Sequence, residues 1–557
     1  MEKKKTSIFW LFKIIKKDFI LMFILSLSSM LVSASYVIPA LLSKGIVNVA
    51  VNANSLDDAK PKIILYAIYF LIFVVLLIAF LILNSHLKVV ISGRLEMRMR
   101  HNFFESITKK QFPYIKNLHS GEILNRFTSD IDVVVSGITT FIPDALSIIT
   151  KVIAGFFVIF AYSKGYSAFI LGVGIVIIIG ALCIKPIFKR VHKQMQEASG
   201  VMRSFTQECT ENMIVIKSFA NRIPLLKKLD SYMQRIYKLK IFRNTITNIA
   251  GGGATFVYQT VYYATMVWGA FMIAGKQLDY GTLMAFMQII SQVSSPFFNA
   301  SSLISQFYSV LASAERLREL EDYPDEITRS DFAPDLVYDE LDSICAENLN
   351  FKYEKDSVIE HTTFEIKKGA CVAITGPSGA GKSTLFKLIL GLHNVSSGRL
   401  YAKTKDGSID LSSITRPLFA YVPQGNMLVS GTISENIKFG NLDVSDEKMI
   451  EAAKTACIYD FIMTLDDGFD TKIGEKGSGL SEGQIQRIAV ARALCCDAPI
   501  LLLDECTSAL DSVTEENMLS NIEALKTKTV FFISHKNAAL SMCDTRLHME
   551  NKVFSII

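Results

Sequence analysis

The sequence predicts a multi-domain membrane protein, in which an all-α membrane domain of six helices precedes an α/β domain with a phosphate-binding loop. Two observations lead to this fold class. Long apolar runs recur up to about residue 315, whereas after about residue 340 the pattern is that of an ordinary α/β protein. In the second region a strand-like segment runs straight into a glycine-rich loop followed by a helix-like segment.

The first region contains six segments that are long enough to cross a bilayer. A hydrocarbon core about 30 Å thick requires about 20 apolar residues in a helix. The candidate spans are Phe19–Ser43, Ile63–Asn84, Ile142–Tyr162, Ala168–Ile187, Ala254–Ala274 and Leu283–Val310. The sixth is interrupted by Gln288, Gln292, Asn299 and several serines. Six such segments in succession favour membrane helices over the buried helices of a soluble protein.

The basic residues predict how these spans are oriented. Lysines and arginines are dense before the first span, between spans two and three, and between spans four and five. Because cytoplasmic loops carry an excess of Lys and Arg, six spans with both termini in the cytoplasm satisfy the pattern throughout. The apolar stretch after the N-terminal lysines is too long for a signal peptide, so we interpret it as a retained first helix. We expect an integral protein of a bacterial cell (inner) membrane.

The two long basic segments do not resemble loops. Arg94–Ile107 and Val191–Val215 keep helical periodicity with charged faces. This predicts helices that continue past the membrane and turn back. Phe112-Pro113 and then His119-Ser120-Gly121 supply the turn residues of the first hairpin.

Composition excludes several other classes of protein. Of 557 residues, 50% are hydrophobic and only 20% are charged, which excludes a disordered chain. The 58 basic and 53 acidic residues are too evenly matched for a typical nucleic-acid-binding protein. Nine cysteines without a CxxC pair indicate neither a disulfide scaffold nor a zinc site, so free thiols are expected.

The glycine-rich loop carries the phosphate chemistry. The strand-like segment Ala370–Thr375 leads into a GxxxxGK[ST] motif in its required setting of strand, loop and helix. Its residues are Gly376, Pro377, Ser378, Gly379, Ala380, Gly381, Lys382, Ser383 and Thr384. The glycines let backbone N–H groups surround phosphate oxygens, and the helix directs its positive end at the same anion. Lys382 is expected to neutralise the β- and γ-phosphates, and the Ser383 hydroxyl to bind Mg²⁺.

Two later strand-like segments end in candidate catalytic residues. An aliphatic run from Pro499 to Leu503 ends in Asp504 and Glu505, as expected for a buried parallel strand with a ligand site at its carboxyl end. Asp504 is predicted to reach Mg²⁺ directly or through water, and Glu505 to accept a proton from attacking water. Thr529–Ile533 ends in Ser534 and His535, which makes His535 a candidate for contacting γ-phosphate or the catalytic water.

Further motifs make this region resemble the nucleotide-binding domain of ABC transporters. Leu480-Ser481-Glu482-Gly483-Gln484 is similar to the family signature LSGGQ. The resemblance implies that Tyr353 stacks on adenine, that Gln424 is the Q-loop glutamine sensing Mg²⁺ and water, and that His535 is the switch histidine. Gly474-Glu475-Lys476-Gly477 resembles the loop before the signature, and Ser508-Ala509-Leu510-Asp511 resembles the D-loop.

The membrane region resembles that of ABC exporters. The stretch from His119 to Asp132 is similar to the segment after the first coupling helix, and Glu208–Phe219 to the segment before the second. The resemblance implies a transmembrane domain over 1–320, a linker over 321–340 and a nucleotide-binding domain over 341–557. It also implies an ATPase with ATP and Mg²⁺ as cofactors, and an ATP-driven exporter working by alternating access.

One glycine loop and one signature imply a half-transporter. In the family the signature of one domain closes on the glycine loop of another, so Ser481, Gly483 and Gln484 are expected to meet the ATP of a second chain. We expect a homodimer, with a heterodimer as the alternative because Glu482 stands where the family commonly has glycine. The chain stops soon after His535, which puts contacts of the family's C-terminal helix in doubt.

The cargo is the least defined feature. Candidate cavity residues are Tyr258, Gln259, Tyr262, Tyr263, Gln288 and Gln292, although packing is the simpler explanation. Lys151 lies near the middle of the third span, seven residues after Asp144, and a buried ion pair, a snorkelling lysine or a substrate contact would explain it. The lack of charges in spans five and six favours amphipathic or apolar cargo such as a lipid, drug or peptide. An ATP-gated regulator or channel, or an importer on the exporter scaffold, remain alternatives.

Overall fold

The computed structural model describes residues 2–116, 118, 120–219, 222–327, 332–354, 356–425, 428–474, 477–525 and 527–557. His119, Glu475 and Lys476 of the predicted motifs lie outside the described residues. The chain forms two compact units. One comprises Met1–Ser106 and Ser120–Asp322, and the other comprises Ile107–His119 and Tyr323–Ile557. The domain boundaries given above remain a proposal.

The described residues up to Asp322 are mainly helical. The α-helices are α1 (Glu2–Ile15), α2 (Phe19–Ser35), α3 (Ile38–Asn52), α4 (Leu56–Lys109), α5 (Phe112–Lys116), α6 (Ser120–Asn125), α7 (Ile131–Ser136), α8 (Ile142–Tyr162), α9 (Lys164–Glu211), α10 (Met213–Ser218), α11 (Ile223–Ala274) and α12 (Tyr280–Glu321). With 54 residues, α4 is about 80 Å long, far more than a bilayer core requires. The predicted helical extension over Arg94–Ile107 is therefore confirmed, and that over Val191–Val215 continues through α9 into α10 with a break at Asn212.

Three segments of the described residues are long and apolar enough to cross a membrane: Phe9–Asn52, Leu56–Lys109 and Ser120–Tyr162. The other predicted spans lie within α9, α11 and α12. The first predicted span is not a single helix, because a turn at Tyr36 and Val37 separates α2 from α3. Pro39 in the first turn of α3 lacks an N–H group, so it cannot continue the hydrogen-bond ladder of α2.

Aromatic stacking and buried polar contacts hold the helical unit together. The ring of Tyr166 stacks on Trp268 at 4.4 Å and on Phe286 at 5.5 Å, and its hydroxyl hydrogen-bonds to Thr265. Elsewhere in this unit, Arg316 donates through Nε to the buried carboxylate of Asp130 at 2.8 Å. A buried charge is tolerated when it is paired in this way, so this ion pair fixes α12 beside the irregular turn Arg126–Asp130.

The second unit is an α/β domain built on two principal sheets. Its strands are β1 (Leu341–Tyr353), β2 (Asp356–Lys367), β3 (Cys371–Thr375), β4 (Ser397–Thr404), β5 (Gly407–Asp410), β6 (Phe419–Val422), β7 (Gly431–Thr432), β8 (Lys472–Ile473), β9 (Ile500–Asp504), β10 (Thr529–Ile533), β11 (Thr545–Glu550) and β12 (Val553–Ile556). Its remaining helices are α13 (Pro334–Glu340), α14 (Lys382–Ile389), α15 (Ile433–Ile437), α16 (Asp446–Thr455), α17 (Tyr459–Met463), α18 (Glu482–Cys495), α19 (Ser512–Glu523) and α20 (Asn537–Met542). The predicted strands that flank the candidate site are thus confirmed.

The order of the strands brings the candidate residues together. One sheet is antiparallel, in the order β2-β1-β4-β5, and the other has the order β12-β11-β3-β10-β9-β6. Within the second sheet β11, β3, β10, β9 and β6 are parallel, and Ile533 pairs with both Ile374 and Asp504. Because parallel strands end at the same edge, the glycine loop, Asp504 and His535 all follow strands at one edge of this sheet.

Candidate nucleotide site

The glycine loop has a backbone that only glycine fits at two positions. Gly376 has a φ of +139°, and a Cβ there would lie 2.5 Å from the carbonyl oxygen of Met549. Gly381 has a φ of +116°, and its Cβ would lie 2.5 Å from a methyl carbon of Val358. The loop therefore curls tightly between β3 and α14, as a backbone cradle for phosphate requires.

Lys382 is buried inside the loop. Its ammonium donates hydrogen bonds to the carbonyl oxygens of Gly376 at 2.8 Å and Pro377 at 2.9 Å. Burial lowers the pKa of Lys382, while the nearby carboxylates of Glu505 and Asp504 oppose that shift. The Lys382 ammonium therefore lies inside the loop, near the carboxylates of Asp504 and Glu505.

Asp504 fits a cation-binding role. It is 1% exposed at the end of β9, and its Oδ1 is buried without a hydrogen-bond partner among the described residues. Burial raises the pKa of Asp504, as does the charge of Glu505, whereas hydrogen bonds from Ser383 and Tyr421 oppose the rise. A buried carboxylate oxygen beside a serine hydroxyl matches the oxygen ligands that Mg²⁺ prefers, so the residues present fit this ion.

Glu505 is held in a strained backbone conformation. Its φ of +52° lies in the left-handed region, which costs about 1–2 kcal/mol for a residue with a Cβ. Its N–H donates to the carbonyl oxygen of Ile533 at 3.0 Å, which ties the end of β9 to the end of β10. Gln424 Nε2 donates to Glu505 Oε2 at 2.6 Å. The predicted Q-loop glutamine and the predicted general base are therefore in direct contact.

His535 lies exposed after β10, and its neighbour Lys536 is anchored. Lys536 Nζ donates to the carbonyl oxygens of Thr507 at 2.8 Å and Leu510 at 3.0 Å, and it pairs with the buried carboxylate of Glu515 at 3.0 Å. These contacts join the segment that carries His535 to the predicted D-loop. Sequence reasoning missed Lys536, and its only signal was a basic residue directly after the histidine.

The signature opens α18 with a reciprocal cap. Ser481 is the N-cap residue, where its hydroxyl accepts from the N–H of Gln484 and its own N–H donates to the Gln484 side chain at 2.8 Å. Glu482 is exposed at the first helical position, where a carboxylate is favourable to the helix dipole. Among the described residues, no hydrogen bond or ion pair links Ser481–Gln484 to residues 376–384 of the same chain.

The signature helix is bound to the predicted D-loop. Gln486 donates to the Ser508 hydroxyl at 2.8 Å and accepts from the N–H of Ala509 at 3.1 Å. A Cβ on Gly483 would lie 2.9 Å from the carbonyl oxygen of Ala509. Gln486 is a second residue whose role was missed, because the contact joins segments more than 20 residues apart.

Tyr353 stands in an aromatic cluster next to the loop. Its hydroxyl lies 3.4 Å from that of Thr384, and its ring meets His393 edge-on at 5.2 Å. His393 also meets Phe112 of α5 edge-on at 5.7 Å, and Lys116 of α5 lies 5.3 Å from the centre of the Tyr353 ring. Burial lowers the pKa of His393, as do the charges of Lys116 and Lys387. No motif or periodic pattern in the sequence pointed to His393.

Comparison with known families and structures decides the identity of this architecture. The family model described as "ABC transporter transmembrane region" matches residues 19–297, and the model described as "ABC transporter" matches residues 359–508. An export ATP-binding/permease protein of Rickettsia bellii is 31% identical, covering 96% of this chain and 92% of that protein. The chain belongs to the ABC transporter family. It has the half-transporter arrangement, with one transmembrane region and one ATP-binding region.

Two further comparisons agree with this membership. An ABC transporter ATP-binding/permease protein of Haemophilus influenzae is 28% identical to this ABC transporter, covering 83% of this chain and 84% of that protein. The structure of a bacterial Atm1-family ABC exporter with ATP bound has a TM-score of 0.82 at 21% identity, covering 97% of this chain and 94% of that one. The predicted fold class and family are therefore confirmed.

Most of the predicted site residues lie close together in the structure. The structure brings together the loop residues 376–384, Gln424, Asp504 and Glu505, and it places Tyr353 and His535 on segments that border them. Ser481, Gly483 and Gln484 are not hydrogen-bonded to this group among the described residues. Their roles in binding and catalysis remain predictions.

Proposed function

We propose that this ABC half-transporter is an ATP-driven exporter that works as a dimer, with ATP-induced closure and hydrolysis coupled to alternating access. The observation that carries the proposal is the 2.6 Å hydrogen bond between Gln424 and Glu505, beside Lys382 and Asp504. A protein that only binds nucleotide would not require a glutamate held in a strained conformation at this edge.

In the proposed hydrolysis, Glu505 takes a proton from the attacking water, and His535 contacts the γ-phosphate or that water. The loop residues 376–384 hold the phosphates, and Tyr353 stacks on the adenine. Ser383, Gln424 and Asp504 would hold Mg²⁺. The ion would supply positive charge against the phosphate oxygens. Gln424 contacts Glu505 directly, so it can report on the same water and keep the carboxylate oriented.

Two chains are needed to complete each ATP site. Ser481 and Gln484 cap α18 and leave its N-terminus at the surface, where a second chain's ATP can approach it. We propose a homodimer. The alternative, a heterodimer, rests on Glu482, whose carboxylate lies beside the same helix terminus. Co-purification of a second ABC subunit in near-equal amount would contradict the homodimer.

Helix α5 supports the proposed coupling between ATP and the membrane domain. It groups with the second unit, where Phe112 packs against His393 and Lys110 pairs with Asp325 at 2.7 Å. His393 in turn packs against Tyr353. A contiguous set of side chains thus runs from the proposed adenine position to the chain between α4 and α6.

The surroundings of Lys151 bear on the nature of the cargo. No ion pair joins Lys151 to Asp144 in the described part of the chain, and the Lys151 ammonium instead lies 4.5 Å from the centre of the Tyr36 ring. This contact supports a structural role for Lys151 over a substrate contact. We propose an amphipathic lipid, drug or peptide as cargo, both termini in the cytoplasm, and the bacterial inner membrane as location. A regulator or channel gated by ATP, or an importer, are the alternatives.

The experiment is ATP hydrolysis in liposomes by the wild type and Glu505→Gln. We expect Glu505→Gln to lose at least 100-fold in rate while it still binds ATP. Glu516→Gln, an exposed carboxylate on α19, is the matched control and should keep the wild-type rate. Equal rates for the wild type and Glu505→Gln would overturn the catalytic assignment. Stimulation of the wild-type rate by a candidate cargo would identify the cargo.

A further inference from the structure

Two cysteines that are far apart in the sequence meet at the amino-terminal ends of the parallel strands, whereas the nucleotide site lies at their carboxyl ends. Cys371 is the first residue of β3, and Cys543 lies between α20 and β11. Their sulfur atoms are 2.7 Å apart, across a sequence separation of 172 residues. Both side chains are partly buried, so a small oxidant can reach them.

Rigid neighbours hold the two sulfurs in place. β11 pairs with β3 in parallel, so Thr545 lies opposite Val372, and α20 packs on β3. On the other side, the N–H of Val530 donates to the carbonyl oxygen of Ala370 at 3.0 Å. A disulfide needs the sulfurs at about 2.05 Å, so the two sulfurs must approach by about 0.7 Å to bond.

The other seven cysteines lack this arrangement. Cys506 is 3% exposed inside the core, and Cys495 and Cys496 are consecutive at the end of α18. No sulfur–sulfur contact joins any other pair in the described residues, which include all nine cysteines. Cytoplasmic disulfides in ordinary proteins are usually transient and catalytic or redox-sensing, and this pair has one thiol at the start of β3 and the other just before β11.

We propose that Cys371 and Cys543 are a modification site, at which hydrogen peroxide oxidises the two thiols to a reversible intramolecular disulfide. The Cys371 thiolate attacks one peroxide oxygen, the O–O bond breaks, and Cys371 becomes a sulfenic acid while one water leaves. The Cys543 sulfur then attacks the Cys371 sulfur, the S–O bond breaks, and a second water leaves. Two thiols have lost two electrons to one hydrogen peroxide, and a dithiol reductant reverses the bond.

The order of attack follows from the environment of the second thiol. The neighbouring Cys371 and burial raise the pKa of Cys543. The thiolate is the attacking species, so we assign the first attack to Cys371 and the resolving step to Cys543.

The disulfide would connect the two segments that lead to Gly376 and away from His535, at the ends that are remote from the nucleotide site. α20 begins two residues after His535, and β3 ends directly before Gly376. The closed loop, from 371 to 543, encloses most of the nucleotide-binding unit. A cross-link over so long a loop removes much of the freedom of the unfolded chain, so the oxidised protein should melt at a higher temperature.

The test treats the full-length protein in liposomes with hydrogen peroxide, blocks the remaining thiols, and maps peptides without reduction. We expect one cross-linked pair containing Cys371 and Cys543, a fall from nine thiols to seven, monomer mobility on a non-reducing gel, and reversal by dithiothreitol. The melting temperature should rise by several degrees with oxidation. Both cysteines recovered as blocked free thiols, or a cross-link between two copies, would overturn the proposal.

Variants sharpen the test. Cys543→Ser should leave a sulfenic acid at Cys371 that dimedone traps, and an unreacted Cys371 in this variant would contradict the proposal. Cys457→Ser removes a partly buried cysteine elsewhere in the unit and should keep the cross-link. Because peptide mapping of the wild type does not depend on any variant, a variant that fails to fold leaves the proposal testable.

Discussion

The side-chain amide of Gln424 donates a 2.6 Å hydrogen bond to the carboxylate of Glu505. Glu505 has left-handed backbone geometry and directly follows the buried Asp504. The two carboxylates at the end of β9 therefore have different surroundings. One carboxylate is buried beside a serine, and the other is fixed by an amide. This division is what a site with one metal-binding acid and one general base requires.

Replacing Gln424 by alanine should lower the ATP hydrolysis rate about tenfold without a comparable loss of ATP affinity. A hydrogen bond to a charged group contributes about 1.5 kcal/mol, which corresponds to about a tenfold change in rate when it orients the reacting carboxylate. Steady-state hydrolysis and equilibrium nucleotide binding measure the two effects. Asn517→Ala, which removes an amide on the exposed side of α19, should change neither. A variant that loses affinity but keeps its maximal rate would contradict this role.

Replacing Asp504 by asparagine should separate stability from function. Burial raises the pKa of Asp504, so the folded protein disfavours its charged form at neutral pH. The Mg²⁺-free variant should therefore melt at a higher temperature than the wild type, whereas the increase in melting temperature caused by Mg²⁺ and ATP should be lost. Thermal melting with and without these ligands gives both results. Asp466→Asn, at an exposed position, should behave as the wild type, and a wild-type response of Asp504→Asn to Mg²⁺ and ATP would contradict the metal assignment.

Adding one methyl group at Gly483 should impair hydrolysis. The new Cβ would lie 2.9 Å from the carbonyl oxygen of Ala509, so the signature helix and the predicted D-loop must separate. Because small displacements of positioning groups are costly, we expect Gly483→Ala to lose roughly 10- to 100-fold in hydrolysis rate. Gly407→Ala, where a Cβ would meet no atom within 4 Å, is the matched control. An unchanged rate in Gly483→Ala would show that this contact does not position the signature.

Acid should destabilise the nucleotide-binding unit through His393. Burial lowers the pKa of this histidine below its ordinary value of 6.5, so the folded state holds its proton less tightly than the unfolded state. Stability is therefore retained above about pH 6.5 and is lost as the pH falls from there toward the lowered pKa. Between pH 7.5 and pH 5.5, the melting temperature of His393→Phe should fall less than that of the wild type. These two pH values lie about one unit on either side of 6.5.

An exposed histidine provides the control for that pH effect. His361→Asn removes an exposed histidine and introduces a residue that also tolerates the left-handed backbone, so it is the matched control. If the melting temperatures of the wild type and His393→Phe fall equally between pH 7.5 and pH 5.5, other groups cause the acid sensitivity.

The local sequence was sufficient to predict the strands and the loop of the candidate site. The run from Ile500 to Leu503 is apolar because both faces of β9 are buried, and the glycines of residues 376–381 are required by their backbone. Lys536, Gln486 and His393 were missed because each acts through partners 20 or more residues away, and such contacts leave no periodic pattern. The break between α2 and α3 was missed because apolar residues continue from the end of α2 into the first turns of α3, so no polar loop marks the boundary.

The two-chain site is the central claim, and a mixed complex tests it most directly. In a dimer of Lys382→Ala chains, or of Ser481→Arg chains, both ATP sites carry a defect, so neither should hydrolyse ATP. In a complex with one chain of each kind, both defects fall in one site and the other site is intact. We predict that this purified complex recovers about half of the wild-type rate, since one of two sites is restored. A mixed complex that stays as inactive as its two parents would contradict the account.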